Sequence, residues 1–195
     1  MKEQFKLQPC DVLVNVNDRN DCFSRIKRWG IGPYSHVFLY LGQVGLYAYP
    51  KQPRFLRVPM MFESNGRGVC LRQLSERYGE KVVVVRLKSA HDRRRIPYVL
   101  RAAVELASSP QAKYDYMCVP LNIVPRVFHD KFGMPLAVKY DRNEQMVCSE
   151  ACAEPCWRAK VPVLPEDIVP LPGDFVELSR ILEEVQRGEL CPEWV

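Results

Sequence analysis

The stretch Tyr34-Ser35-His36-Val37-Phe38-Leu39-Tyr40-Leu41-Gly42 reads as an apolar strand that begins at a histidine. Far downstream, Met146-Val147-Cys148-Ser149-Glu150 opens a stretch with helical character. A cysteine about to enter a helix and a histidine at a strand end are what a thiol nucleophile and its base require.

Outward from this pair, strands come early. Asp11 to Val16 alternates loosely and reads as a half-buried strand, and Gly42 is expected to end the strand that starts at His36. Cys22 to Trp29 reads as a short amphipathic helix with Asp21 as cap and Gly30 as stop. Pro50, Pro53 and Pro59 imply short extended pieces and turns between Leu46 and Phe62. Glu63 to Gly68 reads as a strand end and turn, and Val69 to Leu74 as an edge or hairpin strand. Four consecutive valines mark Lys81 to Leu87 as a strand.

Helices follow. Ser89 or Asp92 caps an element whose apolar positions Ile96, Val99, Leu100, Ala103, Val104 and Ala107 recur at helical spacing. A short helix is expected around Ile123 to Phe132, and a further one from Val147 to Lys160, crossed by Pro155. From Val161 the Pro-rich tail reads as an irregular wrap that closes in an amphipathic helix over Ser179 to Arg187. Strands in series with helices at intervals indicate an α+β class. No repeat or linker interrupts residues 1–195, so a single domain is expected, with an irregular C-terminal segment from about 161.

Composition narrows the function classes. Hydrophobic residues make up 47%, so a folded core is expected and wholesale disorder is not. Lys and Arg number 28 against 23 Asp and Glu, and apart from Arg93-Arg94-Arg95 and Arg25-Lys27-Arg28 they are scattered. These read as solvated helix faces, and no nucleic-acid partner is expected. The sequence shows no secretory leader and no apolar run long enough to cross a bilayer, so eight cysteines are expected largely as thiols in a cytoplasmic protein. Oligomeric state is not legible.

Cys148 is the candidate nucleophile, because a helix N-terminus favours a thiolate and offers amides to an oxyanion. The alternative is a buried cysteine acting as a small apolar residue, since Cys152 and Cys156 share its helical face. His36 is the candidate base, against a core histidine satisfied by a carbonyl. Glu63 is the first choice to orient the imidazole, with Asp115 in reserve.

Together these blocks (an early Asp-Val-Leu strand, Tyr-Ser-His-Val-x-x-Tyr-Leu-Gly, Glu-x-x-Gly-x-Gly-Val, Tyr-Asp and Cys-Ser-Glu) resemble the circularly permuted NlpC/P60 group of papain-like proteins. That group includes the YiiX-like proteins and is related to the lecithin:retinol acyltransferase-like enzymes. The similarity covers roughly residues 10 to 155. It implies a papain-like α+β fold, a small antiparallel sheet packed against helices, with His36, Glu63 and Cys148 in permuted order as base, polar third member and nucleophile. It also implies acyl-transfer chemistry at amide or ester bonds. Two positions depart from the pattern: Cys10 replaces the usual glycine before the aspartate, and the Gly42–Glu63 segment is longer. Tyr47, Tyr49, Phe55 and Phe62 in that insertion form either a substrate wall or a satellite core.

Two rivals remain open. Cys148, Cys152 and Cys156 recur every fourth residue, but sulfurs stacked along a helix diverge instead of converging on a tetrahedron. No metal or other cofactor is therefore expected. The second rival is a non-catalytic NlpC/P60-like binding module. The expected function is a thiol-dependent hydrolase, amidase- or peptidase-like, or alternatively an acyltransferase, acting on a peptide, amide or lipid-ester substrate through an acyl-enzyme on Cys148.

Overall fold

The structure is a computed structural model, described here for residues 5–17, 32–48, 54–109, 123–133 and 146–195, with side chains at 46–48 and 54–56 left aside. In chain order the elements are β1 (Val12–Val16), β2 (Tyr34–Ala48), β3 (Arg54–Asn65), β4 (Gly68–Gln73), a 3-10 turn (Leu74–Arg77) and β5 (Lys81–Leu87). Then come α1 (Ala90–Arg93), α2 (Ile96–Ala107), α3 (Val124–Phe132), α4 (Cys148–Arg158), α5 (Asp174–Glu177), β6 (Leu182–Glu189) and a 3-10 turn (Pro192–Trp194). The strands form one six-stranded antiparallel sheet in the order β4-β3-β2-β1-β5-β6. With five α-helices among the described residues, the class is α+β.

The four valines of β5 are explained by a sheet buried on both faces. Val83, Val85 and Leu87 join the core under α2 and α4, whereas Val82 and Val84 join Leu13, Phe38, Met61 and Trp194 on the opposite face. Each valine contributes about 1.5–3 kcal/mol of burial, so an unbroken apolar run is favoured over alternation here. The alternation survives in β2, where Val37 and Leu39 face the helices and Phe38 and Tyr40 face away. On α2, Val99, Ala102, Ala103 and Leu106 are buried while Val104 is exposed, which shifts the expected apolar face slightly.

Three local expectations are corrected. Gly42 does not end its strand: β2 runs on to Ala48, with a bulge between Tyr40 and Gly42. Gly42 takes φ +97°, and a Cβ there would sit 3.2 Å from Pro9 Cγ, so glycine makes the bulge possible. Residues 54–65 are also one continuous strand, not short pieces. Pro59 falls just beyond the last pair with β4, Met60↔Gln73, where one flank of β3 is open and a missing N–H is tolerated. The insertion is thus a long hairpin, and Phe62 belongs to the main core, not to a wall or satellite.

The third correction is the C-terminal helix expected over Ser179–Arg187. This stretch holds β6 instead, paired along the whole of β5. Only Leu182 is buried in β6, so apolar spacing carries little weight. The open edge of β5 offers a ladder of hydrogen bonds, and Lys81↔Glu189 and Arg86↔Glu183 place opposite charges across it. The tail before it is irregular from Val161, as expected, up to α5.

Cys10 adopts φ +74°, a left-handed backbone that glycine takes up more readily than any residue with a Cβ. Asp11 beside it is buried and receives two bonds from Arg86, Nε to Oδ1 at 2.7 Å and Nη2 to Oδ2 at 2.8 Å. Nearby, the Leu7 amide donates to the Trp194 carbonyl at 2.6 Å, so both ends of the described chain meet on one face of the sheet. The helix expected over Cys22–Trp29 lies outside the described residues. No described helix is long and apolar enough to cross a membrane.

Candidate active site

His36 lies on β2 and Glu63 on β3, neighbouring strands of the sheet, and Cys148 is the first residue of α4. A further bulge, at the shift from Asn15↔His36 to Val16↔Tyr34, puts Ser35 out of register immediately before the histidine. Such an extra residue re-aims the side chains beside it.

Glu63 is fully buried and holds the cluster together. His36 Nε2 donates to its Oε2 at 2.8 Å, and Arg77 Nη2 donates to the same oxygen at 2.6 Å. Asn65 Nδ2 donates to Oε1 at 2.9 Å, and Arg72 Nη1 lies 3.7 Å from that oxygen. Burial opposes the negative charge of Glu63, but the bonds from His36 and Asn65 and the nearby cations overcome it and hold the carboxyl down at about 2. Arg77 is fixed in turn by Glu80 at 3.0 Å and lies over the Phe38 ring. Asn15 Nδ2 donates to Glu80 at 2.6 Å, and Asn15 Oδ1 accepts from Ser35 Oγ at 3.1 Å.

With Nε2 committed to Glu63, the other ring nitrogen is left for sulfur. Cys148 is half-buried and in hydrogen-bonding contact with His36. Burial alone would raise the thiol; the His36 charge and hydrogen bond, with backbone bonds from Val37 and Ser149, hold it below the usual thiol range. Burial works against the imidazolium as well, but Cys148 and Glu63 push His36 up to about 9. The two shifts have one cause: thiolate and imidazolium stabilise each other, with Glu63 behind the ring.

The N-terminus of α4 is built to leave its amides available. Val147 is the N-cap and supplies no side-chain acceptor. Anchoring comes from outside the helix: Ser64 Oγ donates to the Met146 carbonyl at 2.7 Å, and Ser149 Oγ to the Pro170 carbonyl at 2.6 Å. The 169–174 segment is held by buried Arg126 of α3, which bonds both oxygens of Asp174 at 2.6 and 3.0 Å and also the Val169 carbonyl. Asp174 Oδ2 also accepts from the Leu171 amide at 2.7 Å.

The structure therefore brings Cys148, His36 and Glu63 together, while Asp115 lies outside the described residues. Arg77 and Asn65 were not picked out in the sequence. Asn65 carries a usable signal, two residues after Glu63 on the same side of the strand. Arg77, on a turn beyond β4, carries none. Cys152 and Cys156 belong to the apolar core; burial raises the Cys152 thiol well above the usual range, and a Cys10 hydrogen bond followed by burial does the same for Cys156. Among the described residues no group of three or more His, Cys, Asp or Glu side chains is arranged to hold a metal ion.

No protein-family model matches the chain, and no curated protein matches it in sequence. Among solved structures, the chain is similar to the metalloprotein YiiX from Escherichia coli O157:H7, at 15% identity and a TM-score of 0.47, over 96% of this chain and 100% of that one.

Proposed function

We propose that this protein is a thiol-dependent hydrolase of amide or ester bonds, with a papain-like, permuted NlpC/P60 arrangement and an acyl-enzyme on Cys148. The observation that carries the reading is the contact between a half-buried sulfur at a helix N-terminus and an imidazole whose far nitrogen is 2.8 Å from a buried carboxylate.

In the resting pair the thiol proton resides on His36. The thiolate attacks the carbonyl carbon, a C–S bond forms, and the carbonyl electron pair moves to oxygen. First-turn amides of α4 are placed to receive that oxyanion. The oxyanion then collapses, the C–N or C–O bond breaks, and the imidazolium gives its proton to the leaving amine or alkoxide. His36, now neutral, takes a proton from water, whose oxygen attacks the thioester. Collapse breaks the C–S bond, releases the carboxylic acid, and leaves the thiolate beside the His36 imidazolium, which is the resting pair again. Glu63 keeps the ring oriented throughout and offsets its charge, and Arg77 keeps Glu63 ionised.

An acceptor amine or alcohol in place of water makes the same intermediate an acyltransferase. The test uses p-nitrophenyl acetate and intact-mass analysis. A single acetyl group is expected on Cys148, with release of nitrophenolate, and neither is expected in Cys148→Ser or His36→Ala. Nitrophenolate release that persists in folded Cys148→Ser rejects the mechanism. A wild-type chain that never acylates is the result expected of a binding module.

A further inference from the structure

The arginines read in the sequence as a solvated face take part in something more specific. Arg94 and Arg95, at the junction of α1 and α2, line a concave pocket of about 490 Å³ together with His91, Tyr98, Arg158 and Lys160. The wall is thus drawn from two places, the start of α2 and the C-terminal end of α4. Its side chains supply four permanent cations, one imidazole and one phenol, and no carboxylate lines it. The volume suits a small ligand.

Four observations separate this cluster from an ordinary basic surface. The walls are tied together, since Arg95 Nη1 donates to the Ala159 carbonyl at 3.3 Å. The nearby carboxylates are already engaged: Glu154 holds Arg158 Nε at 2.8 Å, Glu183 lies 3.7 Å from Arg93, and Asp92 lies 3.4 Å from His91 Nδ1. Arg94 and Lys160 have no carboxylate partner among the described residues. Lys160 also sits in the left-handed region at φ +58°, where a chain leaving a helix usually places glycine. Its amide is bonded to the Trp157 carbonyl at 2.8 Å, and the next amide, Val161, to Cys156 at 2.8 Å, so the backbone that carries the lysine is fixed.

Like charges crowded around one concavity repel each other, and an anion relieves that repulsion. A single carboxylate would leave most of the charge unmatched. A phosphate offers several oxygens to forked guanidinium donors and carries up to two charges. A nucleic-acid backbone would need a basic stripe, whereas this is one localised concavity. We propose that the pocket formed by Arg94, Arg95, Arg158 and Lys160 binds a phosphate group, carried by a soluble phosphoester or by a lipid headgroup. Ten residues of α4 separate Cys148 from Arg158, about 15 Å along the helix, so the pocket is distinct from the thiol site.

The test is isothermal titration calorimetry of the full chain with inorganic pyrophosphate, at low and near-physiological salt. Saturable one-to-one binding that weakens with salt is expected, and it should fall at least about tenfold in Arg94→Ala/Lys160→Ala. Both residues are exposed, so the double variant should melt with the wild type. Arg94→Lys/Lys160→Arg should retain most of the affinity, and Arg67→Ala on the β3–β4 turn should bind as wild type. Sedimentation with phosphatidylcholine vesicles, with and without phosphatidic acid, separates the sources. Acid-lipid-dependent sedimentation that pyrophosphate competes away assigns the headgroup; pyrophosphate binding without sedimentation assigns a soluble ligand. Absence of saturable binding, or binding that the double variant keeps, overturns the proposal.

Discussion

Replacing Glu63 by glutamine keeps the side-chain volume and removes one buried charge. In the folded protein that carboxyl is held at about 2, against 4.5 in its ordinary state. The difference is worth about 3 kcal/mol at neutral pH. Because the folded value is depressed, this stability is fully present above pH 4.5 and is lost as pH falls through about 2. The figure agrees with the roughly 3–5 kcal/mol lost when one partner of a buried ion pair is removed. Here Arg77 and His36 both lose their counter-charge. Urea unfolding of wild type and Glu63→Gln at pH 7 should differ by about 3 kcal/mol. At a slope of about 2 kcal/mol/M that is a midpoint shift of roughly 1.5 M. Repeating the pair of titrations toward pH 2 should bring the two curves together, since other carboxylates titrate alike in both proteins. A difference below about 1 kcal/mol at pH 7, or one that does not shrink in acid, would refute this account of the cluster.

Other outcomes follow from the same geometry. Iodoacetamide should label Cys148 as a thiolate at pH values below the ordinary thiol value of 9, and His36→Ala should move the midpoint upward; unchanged rate-against-pH profiles in the variant would contradict the ion pair. Gly42→Ala should cost about 1–3 kcal/mol, because alanine at φ +97° is strained and its Cβ meets Pro9, and thermal melts should show a loss of several degrees. Arg126→Met should cost about 3–5 kcal/mol through the unpaired, buried Asp174 and should slow Cys148 labelling by loosening the anchor at Pro170. Normal stability and normal labelling in that variant would remove Arg126 from the support of α4.

The strands were legible wherever burial on one or two faces imposed a pattern, as in Val82–Val85 and Val37–Leu41. The helix at Cys148 was legible because the Val147-Cys148-Ser149-Glu150 step marks a start. What misled was local sequence overruled from a distance. Ser179–Arg187 has helical spacing, yet the unpaired edge of β5 recruits its latter part as a strand. Gly42 has the look of a stop but serves as a bulge, because strand β3 is there to pair beyond it. In the candidate site, Glu63 could be chosen because it sits at the end of an apolar strand. The arginines that hold it ionised come from β4 and the turn beyond it, and such partners depend on tertiary geometry alone.

The bond between the Leu7 amide and the Trp194 carbonyl has a practical consequence. A short glycine-serine bridge across this seam, with the polypeptide opened just ahead of Met146, would yield a rearranged molecule in which the cysteine is synthesised before the histidine. The sheet order β4-β3-β2-β1-β5-β6 requires no change for this, since every strand pairing lies outside the new opening. Retention of thiol reactivity in such a molecule would show that the arrangement of the site is independent of the direction in which the ribosome delivers it.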